Sequence, residues 1–528
     1  MRVLLAYPAF ADARLREDDM SALPMGMVAL GAELSRAGHR VLLCDWHRSD
    51  PADMEKELLS FAPEVLGFSV LNGNRHAALS AAARARRLLP GVTVVLGGVG
   101  ATMLWELLLS YPQVDYVILG EADRSLPALV SCLEQKDSEA LAKIPGLAFC
   151  RNGSAFLAAK PAPVSDLSSL ARPWELYTYR HVALSRGCPG ACAYCGSPRF
   201  WGRRVRFREP EDFVSEILAL NRKGVSFFYF SDDTFTLDRE RVRAVCRGII
   251  ARGLTIRFNA ICRPENTDAE ILSLLRRAGC IQLSFGVESA DEKVLAALGK
   301  KVSRKNLLAA FRLCRETGIL PRAYFMYGCP GDSPDTMEQN CRLMDELRPL
   351  SAVFYLLTLF PGTRLYDDWK KRSGETDDIW RGPLEDIPYC RTDPSLPDEA
   401  VFAFGDTLRG HFFKNLPSYA LSLAPPGDPE LAIFHAEFLC RLAMTFAFGD
   451  LAENPAVPTK EQTAATLFSR SLRAVPLSDA YLGLGVLLQK CGDRNGGTRV
   501  LEEGLSRFPG DAELARALSA GAENGRSG

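Results

Sequence analysis

Short, continuously apolar runs alternate with amphipathic segments over residues 1–135. The apolar runs predict strands at Val3–Tyr7, Val41–Asp45, Val65–Ser69, Val92–Leu96 and Tyr116–Leu119, with helical periodicity between them, as at Val28–Ala37 and Ala77–Leu89. Because these strands lack polar alternation, both faces of their sheet are covered, which is typical of a doubly wound α/β domain. Such sheets bind ligands beyond the carboxyl ends of their strands, which here carry Ser69, Gly97-Gly98 and Gly120-Glu121.

A second βα series begins at His181. It follows a segment rich in Pro, Ser and Asp, Ile144–Arg172, which we interpret as a linker. Strands are predicted at Val182–Ser185, Phe227–Ser231, Arg257–Ala260, Gln282–Gly286, Arg322–Tyr327 and Val353–Thr358. Six βα units fit a partial barrel, and by analogy with complete barrels its active site is expected at the carboxyl ends of the strands.

The pattern becomes mixed after Pro361-Gly362 and reads as helical from about residue 431 onward. Ser471–Pro476 recurs as Gly504–Pro509 at an offset of 33 residues. This recurrence resembles tetratricopeptide repeats, whose helix pairs stack into a protein-binding surface. The alternative is a simple helical cap on the barrel. We expect the tail to serve assembly or docking, and not the chemistry.

Charge and cysteine usage exclude some classes of protein. The 528 residues carry 63 Lys+Arg and 64 Asp+Glu, a net charge of −1, so no nucleic-acid or anionic-membrane partner is indicated. Most of the fifteen cysteines are scattered singly in apolar stretches, as reduced and buried cysteines are. No charged-then-apolar leader and no run of 18 apolar residues occurs, Leu431–Phe448 coming nearest. A reducing, cytoplasmic location is expected.

Three cysteines form the most specific motif of the chain. Cys188, Cys192 and Cys195 have the spacing C-x3-C-x2-C, which suits an iron–sulfur cluster. A [4Fe–4S] cube held by three thiolates leaves one iron open to a substrate or cofactor. A structural zinc knuckle is the alternative. Zinc prefers four ligands, however, and the nearest downstream candidates, Cys246 and His411, offer no paired spacing.

With Tyr194 before its last cysteine, the motif is similar to that of the radical S-adenosylmethionine enzymes. The resemblance implies that the open iron chelates S-adenosylmethionine and that the reduced cluster cleaves it to a 5′-deoxyadenosyl radical. It also implies contacts at the strand ends, carried over by position. They are Tyr194 near the adenine, Ser231-Asp232-Asp233 at the methionine amino group in place of the more usual Gly-Gly-Glu, Asn259 and Arg263 at ribose and carboxylate, Glu288-Ser289 at the ribose, Gly328 beside the adenine, and Phe360 ending the sixth strand.

Each of these positions also has a structural interpretation. Asp232 or Asp233 could cap the helix that follows them. The Gly, Asn, Ser and Phe-Pro positions could reflect ordinary turn chemistry at strand ends.

The order of the domains resembles the cobalamin-binding branch of that family. The supporting features are Pro24-Met25-Gly26-Met27, Leu96–Gly100 and Val114–Val117 leading into Gly120-Glu121. The Asp-x-His-x-x-Gly element that supplies a lower histidine ligand in many cobalamin proteins is absent, and neither His39 nor His47 has that context. The alternative is a Rossmann-like domain that binds nothing.

The prediction is therefore an α/β chain in five parts: a cobalamin-binding Rossmann-like domain (1–140), a linker (141–180), a partial (βα)6 radical barrel (181–365), an accessory segment (366–430) and an α-helical tetratricopeptide-like domain (431–528).

The resemblance implies a [4Fe–4S] cluster, S-adenosylmethionine and cobalamin as cofactors. It also implies methylation of an unactivated carbon in a small-molecule or lipid-like intermediate, with two S-adenosylmethionine molecules consumed per turnover. The alternatives are a cyclase or rearrangement enzyme without methyl transfer, and a non-catalytic scaffold. Expected partners are a small-molecule substrate, an electron donor such as flavodoxin or ferredoxin, and a protein that docks on the helical tail. The catalytic residues and the substrate remain unassigned.

Overall fold

This computed structural model describes residues 1–9, 23–47, 49–425 and 428–523, and residues 521–523 are described by their backbone alone. The chain forms two units, and a seven-stranded sheet dominates the first. The first unit comprises Met1–Phe235, Ala297–Lys300 and Leu357–Ser395. The second comprises Thr236–Ala296, Lys301–Leu356 and Leu396–Gly528. Each unit is described separately below.

The strands of the described residues are β1 (Arg2–Pro8), β2 (Arg40–Trp46), β3 (Val65–Ser69), β4 (Thr93–Gly97), β5 (Tyr116–Ile118), β6 (Leu147–Arg151), β7 (Ser154–Leu157), β8 (His181–Val182), β9 (Ser185–Arg186), β10 (Arg206–Phe207), β11 (Phe227–Phe230), β12 (Arg257–Cys262), β13 (Cys280–Glu288), β14 (Leu320–Tyr327), β15 (Ser351–Leu356), β16 (Thr358–Leu359) and β17 (Ile387–Pro388).

The helices are α1 (Met25–Arg36), α2 (Pro51–Phe61), α3 (Arg75–Leu88), α4 (Val99–Met103), α5 (Trp105–Leu109), α6 (Ser125–Gln135), α7 (Ser138–Leu141), α8 (Ser197–Phe200), α9 (Pro210–Arg222), α10 (Arg239–Ala251), α11 (Ala269–Arg277), α12 (Glu292–Ala297), α13 (Arg304–Thr317), α14 (Pro334–Leu347), α15 (Arg364–Ser373), α16 (Asp398–Leu421), α17 (Ala432–Ala447), α18 (Asp450–Glu453), α19 (Lys460–Ala474), α20 (Ser478–Lys490), α21 (Arg494–Arg507) and α22 (Ala512–Glu523).

The first sheet has the strand order β2-β1-β3-β4-β5-β6-β7, and its first five strands are parallel. Those five are the strands that the apolar runs predict. Val3, Val65 and Val95 are buried in their centre, together with Leu34 of α1 and Leu129 of α6. Continuous apolar strands therefore lie under helices, as expected for a doubly wound α/β layer.

Two strands of this sheet were not predicted. β6 pairs antiparallel with β5, and β7 pairs antiparallel with β6, inside the segment interpreted as a linker. In each of them one end is exposed, Cys150-Arg151 in β6 and Ser154-Ala155 in β7, and Phe149 contacts Tyr116 and Phe156 with ring centroids 6.0 and 5.5 Å apart. They were missed because they are only five and four residues long and lie between the prolines Pro145 and Pro161, which favoured a linker.

The cysteine motif also lies in the first unit, among short strands. β8 pairs parallel with β11, β9 pairs antiparallel with β10, and β16 pairs antiparallel with β17. The motif begins directly after β9. The predicted first strand, Val182–Ser185, is thus divided into two short pieces that precede the cysteines.

The second unit holds four parallel strands in the order β12-β13-β14-β15. They match the predicted third to sixth strands of the barrel. Helices α10, α11, α13 and α14 connect or flank them. α10 and α11 both begin with aspartate caps: Asp238 accepts a hydrogen bond from the Arg241 amide and Asp268 from the Ile271 amide.

Helices α16 to α22 complete the second unit. The first residues of α19 and α21, Lys460 and Arg494, are 34 positions apart, as are those of α20 and α22, Ser478 and Ala512. α17 contacts α19, and α20 contacts α21. This spacing agrees with a helix-pair repeat, and the assignment to tetratricopeptide repeats stays a prediction.

The stretch Pro429–Glu453 is long and apolar enough to cross a membrane by length and composition alone, but more than half of it is buried in the fold. It contacts α13, α19 and α20. Its apolar side chains therefore pack against other helices, as those of a core helix do.

Candidate functional site

The three cysteines of the motif lie on one partly exposed loop. A methyl group placed on Gly190 would lie 3.3 Å from Cys188 Sγ and 3.8 Å from Cys192 Sγ, so both sulfurs face the same backbone position. All three thiols are free and neither fully buried nor fully exposed. The three thiols are therefore accessible and can bind the same metal cluster.

This loop is anchored from two sides through Ala193. Its amide donates to the Leu298 carbonyl at 2.7 Å, and its carbonyl accepts from the Leu365 amide at 3.0 Å. Ala193 is almost fully buried, whereas Tyr194 is half-buried. The backbone of the loop is therefore fixed while its sulfurs remain accessible.

Burial raises the pKa of Cys195 to about 11. A hydrogen bond with the Ser197 backbone lowers that pKa, and Cys192, Asp233 and Cys188 raise it again. The thiol is thus neutral at pH 7 unless a cation stabilises its thiolate. The three cysteines of this one loop fit the donor set of an iron–sulfur cluster.

The three sulfurs do not form a compact site for one metal ion. Among the described residues, no group of three His, Cys, Asp or Glu side chains is arranged to hold a single ion. A tetrahedral zinc ion, with Zn–S bonds of about 2.3 Å, needs sulfurs roughly 3.8 Å apart. A cubane binds each cysteine at a different iron and accepts sulfurs that are further apart.

Asp232 joins the end of β11 to the strands before the cysteine loop. Its carboxylate accepts a hydrogen bond from the Leu184 amide at 3.1 Å and a short one from the Ser185 hydroxyl. Its side chain is almost fully buried, and burial raises its pKa to about 6. Both oxygens are thus used within the protein.

Asp233 points to the other side of the cysteine loop. It is partly exposed, and its Oδ2 accepts a hydrogen bond from the Ser197 hydroxyl at 2.5 Å, two residues beyond Cys195. Burial raises its pKa. Neither aspartate caps the following helix, because Asp238 does so. Of the two, Asp233 has the carboxylate that remains accessible beside the cysteines.

Ser231, the third predicted residue at this strand end, is hydrogen-bonded to His181. The Ser231 hydroxyl lies 3.0 Å from His181 Nδ1, and the His181 ring stacks on Tyr229 with centroids 4.5 Å apart. Phe360, also in the first unit, follows β16 with 42% of its surface exposed. Ser231 is occupied locally and Phe360 is accessible.

The remaining predicted contacts lie in the second unit, where β12, β13 and β14 end at one edge of a parallel sheet. Arg263 directly follows β12 and bonds to the Lys301 carbonyl at 3.2 Å, while Asn259 sits within the strand. The Ser289 hydroxyl is buried and lies 3.4 Å from Asn340 Oδ1. Ser289 is thus engaged inside the protein.

Two of these strand ends have unusual backbone. Glu288 is buried at a bulge in β13 with φ of +62°, a conformation that non-glycine residues rarely adopt. Strained backbone of this kind clusters at functional sites. Gly328 has φ of +72°, a backbone conformation that favours glycine, and a methyl group there would also lie 2.9 Å from Leu356 Cδ1.

Small residues line the carboxyl edge of the first sheet, as predicted. Ser69 and Gly97 are half-buried, and Gly98 has φ of +98° with its backbone against Val70. The space beside Gly98 is filled by the Val70 backbone and that beside Gly120 by Pro161, so the contact of these residues with cobalamin stays a prediction. Val99 of the same turn reaches the cysteine loop: its Cγ2 lies 3.9 Å from a methyl group placed on Gly196. The two predicted half-sites therefore meet within one unit.

Glu121 has a partner that the sequence did not reveal. Its Oε2 accepts from Arg186 Nη1 at 2.9 Å, and its Oε1 lies 2.5 Å from Arg206 Nη2, close for an ion pair although not aligned as a hydrogen bond. Asp123 receives two further bonds from Arg186. This buried group, Glu121, Asp123, Arg186 and Arg206, ties the turn after β5 to the β9–β10 pair that carries the cysteine loop. Glu121 is thus held by arginines, and any contact with a cofactor stays a prediction.

A second set of contacts, also not predicted, fastens the loop after β3. Arg75 is fully buried and donates to the carbonyls of Asn72 at 2.8 Å, Trp380 at 3.0 Å and Gly382 at 3.0 Å, and also to that of Leu384. Asn72 donates to the Glu385 carbonyl at 2.7 Å. We call residues 380–385 the strap. Its backbone carbonyls accept the hydrogen bonds that fix the loop after β3 to the strap.

The histidines of the first sheet are placed away from a common site. His39 precedes β2, at the amino edge, with Nδ1 3.3 Å from the Met1 amino group. His76 Nε2 lies 2.6 Å from the Gly382 carbonyl of the strap. His47 follows β2 and stacks on Tyr7.

Two family models match the chain. The model described as the B12 binding domain matches residues 16–130, and that of the radical SAM superfamily matches residues 182–344. The first match covers β2 to β5 of the first sheet, and the second covers five of the six predicted barrel strands.

Several curated proteins are similar over most of the chain. An anaerobic magnesium-protoporphyrin IX monomethyl ester cyclase from Synechocystis sp. is 31% identical over 61% of this chain and 68% of its own length. A cyclase of the same name from Cereibacter sphaeroides is 27% identical over 70% of this chain but only 63% of its own length. The hopanoid C-3 methylase of Methylococcus capsulatus is 25% identical over 66% of this chain and 68% of its own length.

A solved structure has the same fold. The radical S-adenosylmethionine methyltransferase TsrM from Kitasatospora setae, with cobalamin and a [4Fe–4S] cluster bound, superposes with a TM-score of 0.66 at 18% identity. The superposition covers 90% of this chain and all of that one.

Proposed function

Because this chain belongs to the cobalamin-binding radical S-adenosylmethionine enzymes, we propose that it methylates an unactivated carbon of a small-molecule or lipid-like biosynthetic intermediate. One observation carries the proposal. The Val99 turn of the cobalamin-type sheet lies against Gly196, next to Cys195. A methyl carrier on that sheet and a radical source on that loop would then act on one substrate.

The cofactors are a [4Fe–4S] cluster, S-adenosylmethionine and cobalamin. When bound, the first two supply a radical that abstracts a hydrogen atom, and cobalamin supplies the methyl group. Cys188, Cys192 and Cys195 would hold the cluster. Ser69, Gly97, Gly98 and Gly120 would border the corrin, because no bulky side chain projects from these strand ends.

The protein's own residues bind and position. Asp233, accessible and fixed by Ser197, is placed to accept hydrogen bonds from an ammonium group beside the cysteines. Asp232 fixes the strands before the loop, so its role is to position Cys188. In the second unit, Asn259, Arg263, Glu288, Ser289 and Gly328 are proposed contacts of the nucleoside and carboxylate, with Gly328 beside the adenine. In the first unit, Tyr194 is proposed to lie near the adenine, and Phe360, after β16, is a further proposed cofactor contact.

The test is product analysis with the anaerobically reconstituted protein. With methyl-labelled S-adenosylmethionine and candidate metabolites, we expect 5′-deoxyadenosine, S-adenosylhomocysteine and a product heavier by one labelled methyl group. A Cys195→Ala variant is the control, because it should form no 5′-deoxyadenosine. A product without label, formed together with 5′-deoxyadenosine, would refute methyl transfer.

The second candidate is ring formation without methyl transfer. It is favoured by the similarity to the magnesium-protoporphyrin IX monomethyl ester cyclases. The same labelling experiment distinguishes the two, since a cyclase product carries no added methyl group. A non-catalytic scaffold would form no 5′-deoxyadenosine at all.

The setting of the reaction is part of the proposal. We infer a cytoplasmic location, since the fifteen cysteines carry no disulfide in the described residues and the one long apolar helix is largely buried. The domain limits proposed from the sequence, 1–140, 141–180, 181–365, 366–430 and 431–528, are to be tested by limited proteolysis. A partner of the helical tail also remains a proposal.

A further inference from the structure

Four exposed arginines surround the cysteine loop. They are Arg199 on α8, Arg203 and Arg204 before β10, and Arg364 at the start of α15. We call them the basic rim. They stand out because the whole chain has a net charge of −1.

Contacts place the rim at the loop itself. Arg203 Nη2 donates to the carbonyl of Pro189, between the first two cysteines, at 3.3 Å. Arg364 Nη2 lies 3.2 Å from a methyl group placed on Gly299, and that methyl would be 2.9 Å from the Ala191 carbonyl. Pro189 and Ala191 are exposed. The rim therefore borders the part of the loop that faces solvent.

Most of this charge is not neutralised. Within the described residues, no carboxylate forms an ion pair with Arg203, Arg204 or Arg364. Arg199 pairs with Asp367 at 3.2 Å, an exposed contact between α8 and α15. Asp368 is a second exposed acid on α15. Exposed pairs of this kind are weak, so the rim keeps a net positive field.

We propose that the basic rim is the docking surface for an acidic one-electron carrier protein. The inference rests on the proposed function, which needs an electron from outside. A reduced carrier would lose one electron to the cluster held by Cys188, Cys192 and Cys195, and no atom would be transferred. An acidic face opposite the rim brings the two redox centres together and speeds their encounter.

The test compares two reductants on the full-length, cluster-loaded protein. Formation of 5′-deoxyadenosine is measured with an acidic ferredoxin, kept reduced by its reductase, and with dithionite. For Arg199→Glu/Arg204→Glu we expect the second-order rate with ferredoxin to fall at least about tenfold, since steering contributes about 10 to 1,000-fold. The dithionite rate should stay within about twofold of the wild type, because a small reductant requires no docking face.

Three further measurements make the test specific. Added salt should slow the ferredoxin reaction of the wild type far more than that of the double variant. Lys56→Glu/Arg87→Glu, an equal charge reversal at exposed positions of α2 and α3, should leave both rates unchanged. If the double variant loads no cluster, Arg204→Gln takes its place, with an expected severalfold loss with ferredoxin only.

The outcomes separate this inference from the proposed function. Equal ferredoxin rates in variant and wild type, or a wild type reduced by dithionite but not by ferredoxin, would overturn the docking surface alone. Binding of the wild type to phosphatidylserine vesicles with unaltered ferredoxin rates in the variant would overturn it in favour of a membrane. No 5′-deoxyadenosine from the wild type with dithionite would overturn the proposed function.

Discussion

Arg186 forms a bidentate pair with Asp123: Nη1 donates to Oδ2 at 2.8 Å and Nη2 donates to Oδ1 at 3.0 Å. The two residues are 63 positions apart, one after the last parallel strand of the first sheet and the other directly before the cysteine loop. Burial lowers the pKa of Arg186, but Asp123 and Glu121 raise it by more, so the guanidinium stays charged. This two-pronged pair fixes the cofactor loop to the sheet.

Asp123→Asn should lower the free energy of unfolding by about 3 kcal/mol, because it removes one partner of a buried ion pair. It should also loosen the loop and reduce the iron content after reconstitution. The measurements are denaturant titration and iron analysis. Asp368→Asn, at an exposed position, is the control and should alter neither. Equal stability of Asp123→Asn and the wild type would show that Glu121 alone suffices for Arg186.

Asp232 should make stability depend on pH. Burial raises its pKa from 3.8 to about 6 in the folded protein. Between those pH values the folded state keeps a proton that the unfolded chain has released, so the free energy of unfolding falls as pH rises. The single group contributes about 3 kcal/mol of this fall. Denaturation of the apoprotein at several pH values from 4 to 7 should show a shallower fall for Asp232→Asn. Parallel curves for the two proteins would contradict the assignment.

The sequence predicted what local patterns determine. The five apolar strands of the first sheet, the βα strands after His181 and the cysteine spacing are all visible within short windows. Asp232 and Asp233 looked equivalent, and only the contacts with Ser185 and Ser197 distinguish them. β6 and β7 escaped prediction because they are short and lie in a stretch whose prolines, Pro145, Pro161 and Pro163, favoured a linker.

Partners distant in the chain could not be predicted. Arg75 and Trp380 are 305 positions apart, yet the arginine bonds to the tryptophan carbonyl and lies 5.2 Å from its ring. Every residue has a backbone carbonyl, so the sequence does not indicate which carbonyls a buried arginine will bond to. Glu121 likewise read as a ligand-edge residue because its arginines lie 65 and 85 positions further along the chain.

Arg75→Met should release the strap. The change leaves the carbonyls of Trp380, Gly382 and Leu384 without their donor, at a cost of about 2–4 kcal/mol. Hydrogen exchange should speed up at residues 380–385 and in the loop after β3. Arg87→Met, exposed on the same helix α3, should change neither stability nor exchange. Unaltered protection of the strap in Arg75→Met would mean that Asn72 and His76 hold it.

Replacing Cys188, Cys192 and Cys195 together with Ala should abolish the cluster's absorbance and all cleavage of S-adenosylmethionine. Cys246→Ala, a buried cysteine of α10, is the control and should retain both. An intact cluster in the triple variant would refute the ligand assignment.

Cluster loading should depend on pH in a defined direction. Because burial raises the pKa of Cys195 to about 11, the thiol must lose a proton when it binds iron. Reconstitution should therefore be faster at pH 8.5 than at pH 6.5, with protons released to the medium. Iron uptake followed with a pH indicator measures both quantities. Faster uptake at the lower pH would contradict the assignment of Cys195 as a ligand.

Cobalamin should bind the first sheet without a histidine on its lower face. The motif that supplies such a ligand is absent, His39 lies at the amino edge of the sheet, and His76 contacts the Gly382 carbonyl. His47, buried after β2, is the histidine to exclude. Electron paramagnetic resonance of the Co(II) state should show no nitrogen splitting from a protein imidazole, and His47→Gln should leave the spectrum unchanged. A splitting that disappears in His47→Gln would identify His47 as the ligand. Failure of the wild type to bind cobalamin at all would contradict both candidate functions, because methyl transfer and the ring-forming reaction are both proposed for a cobalamin-binding enzyme.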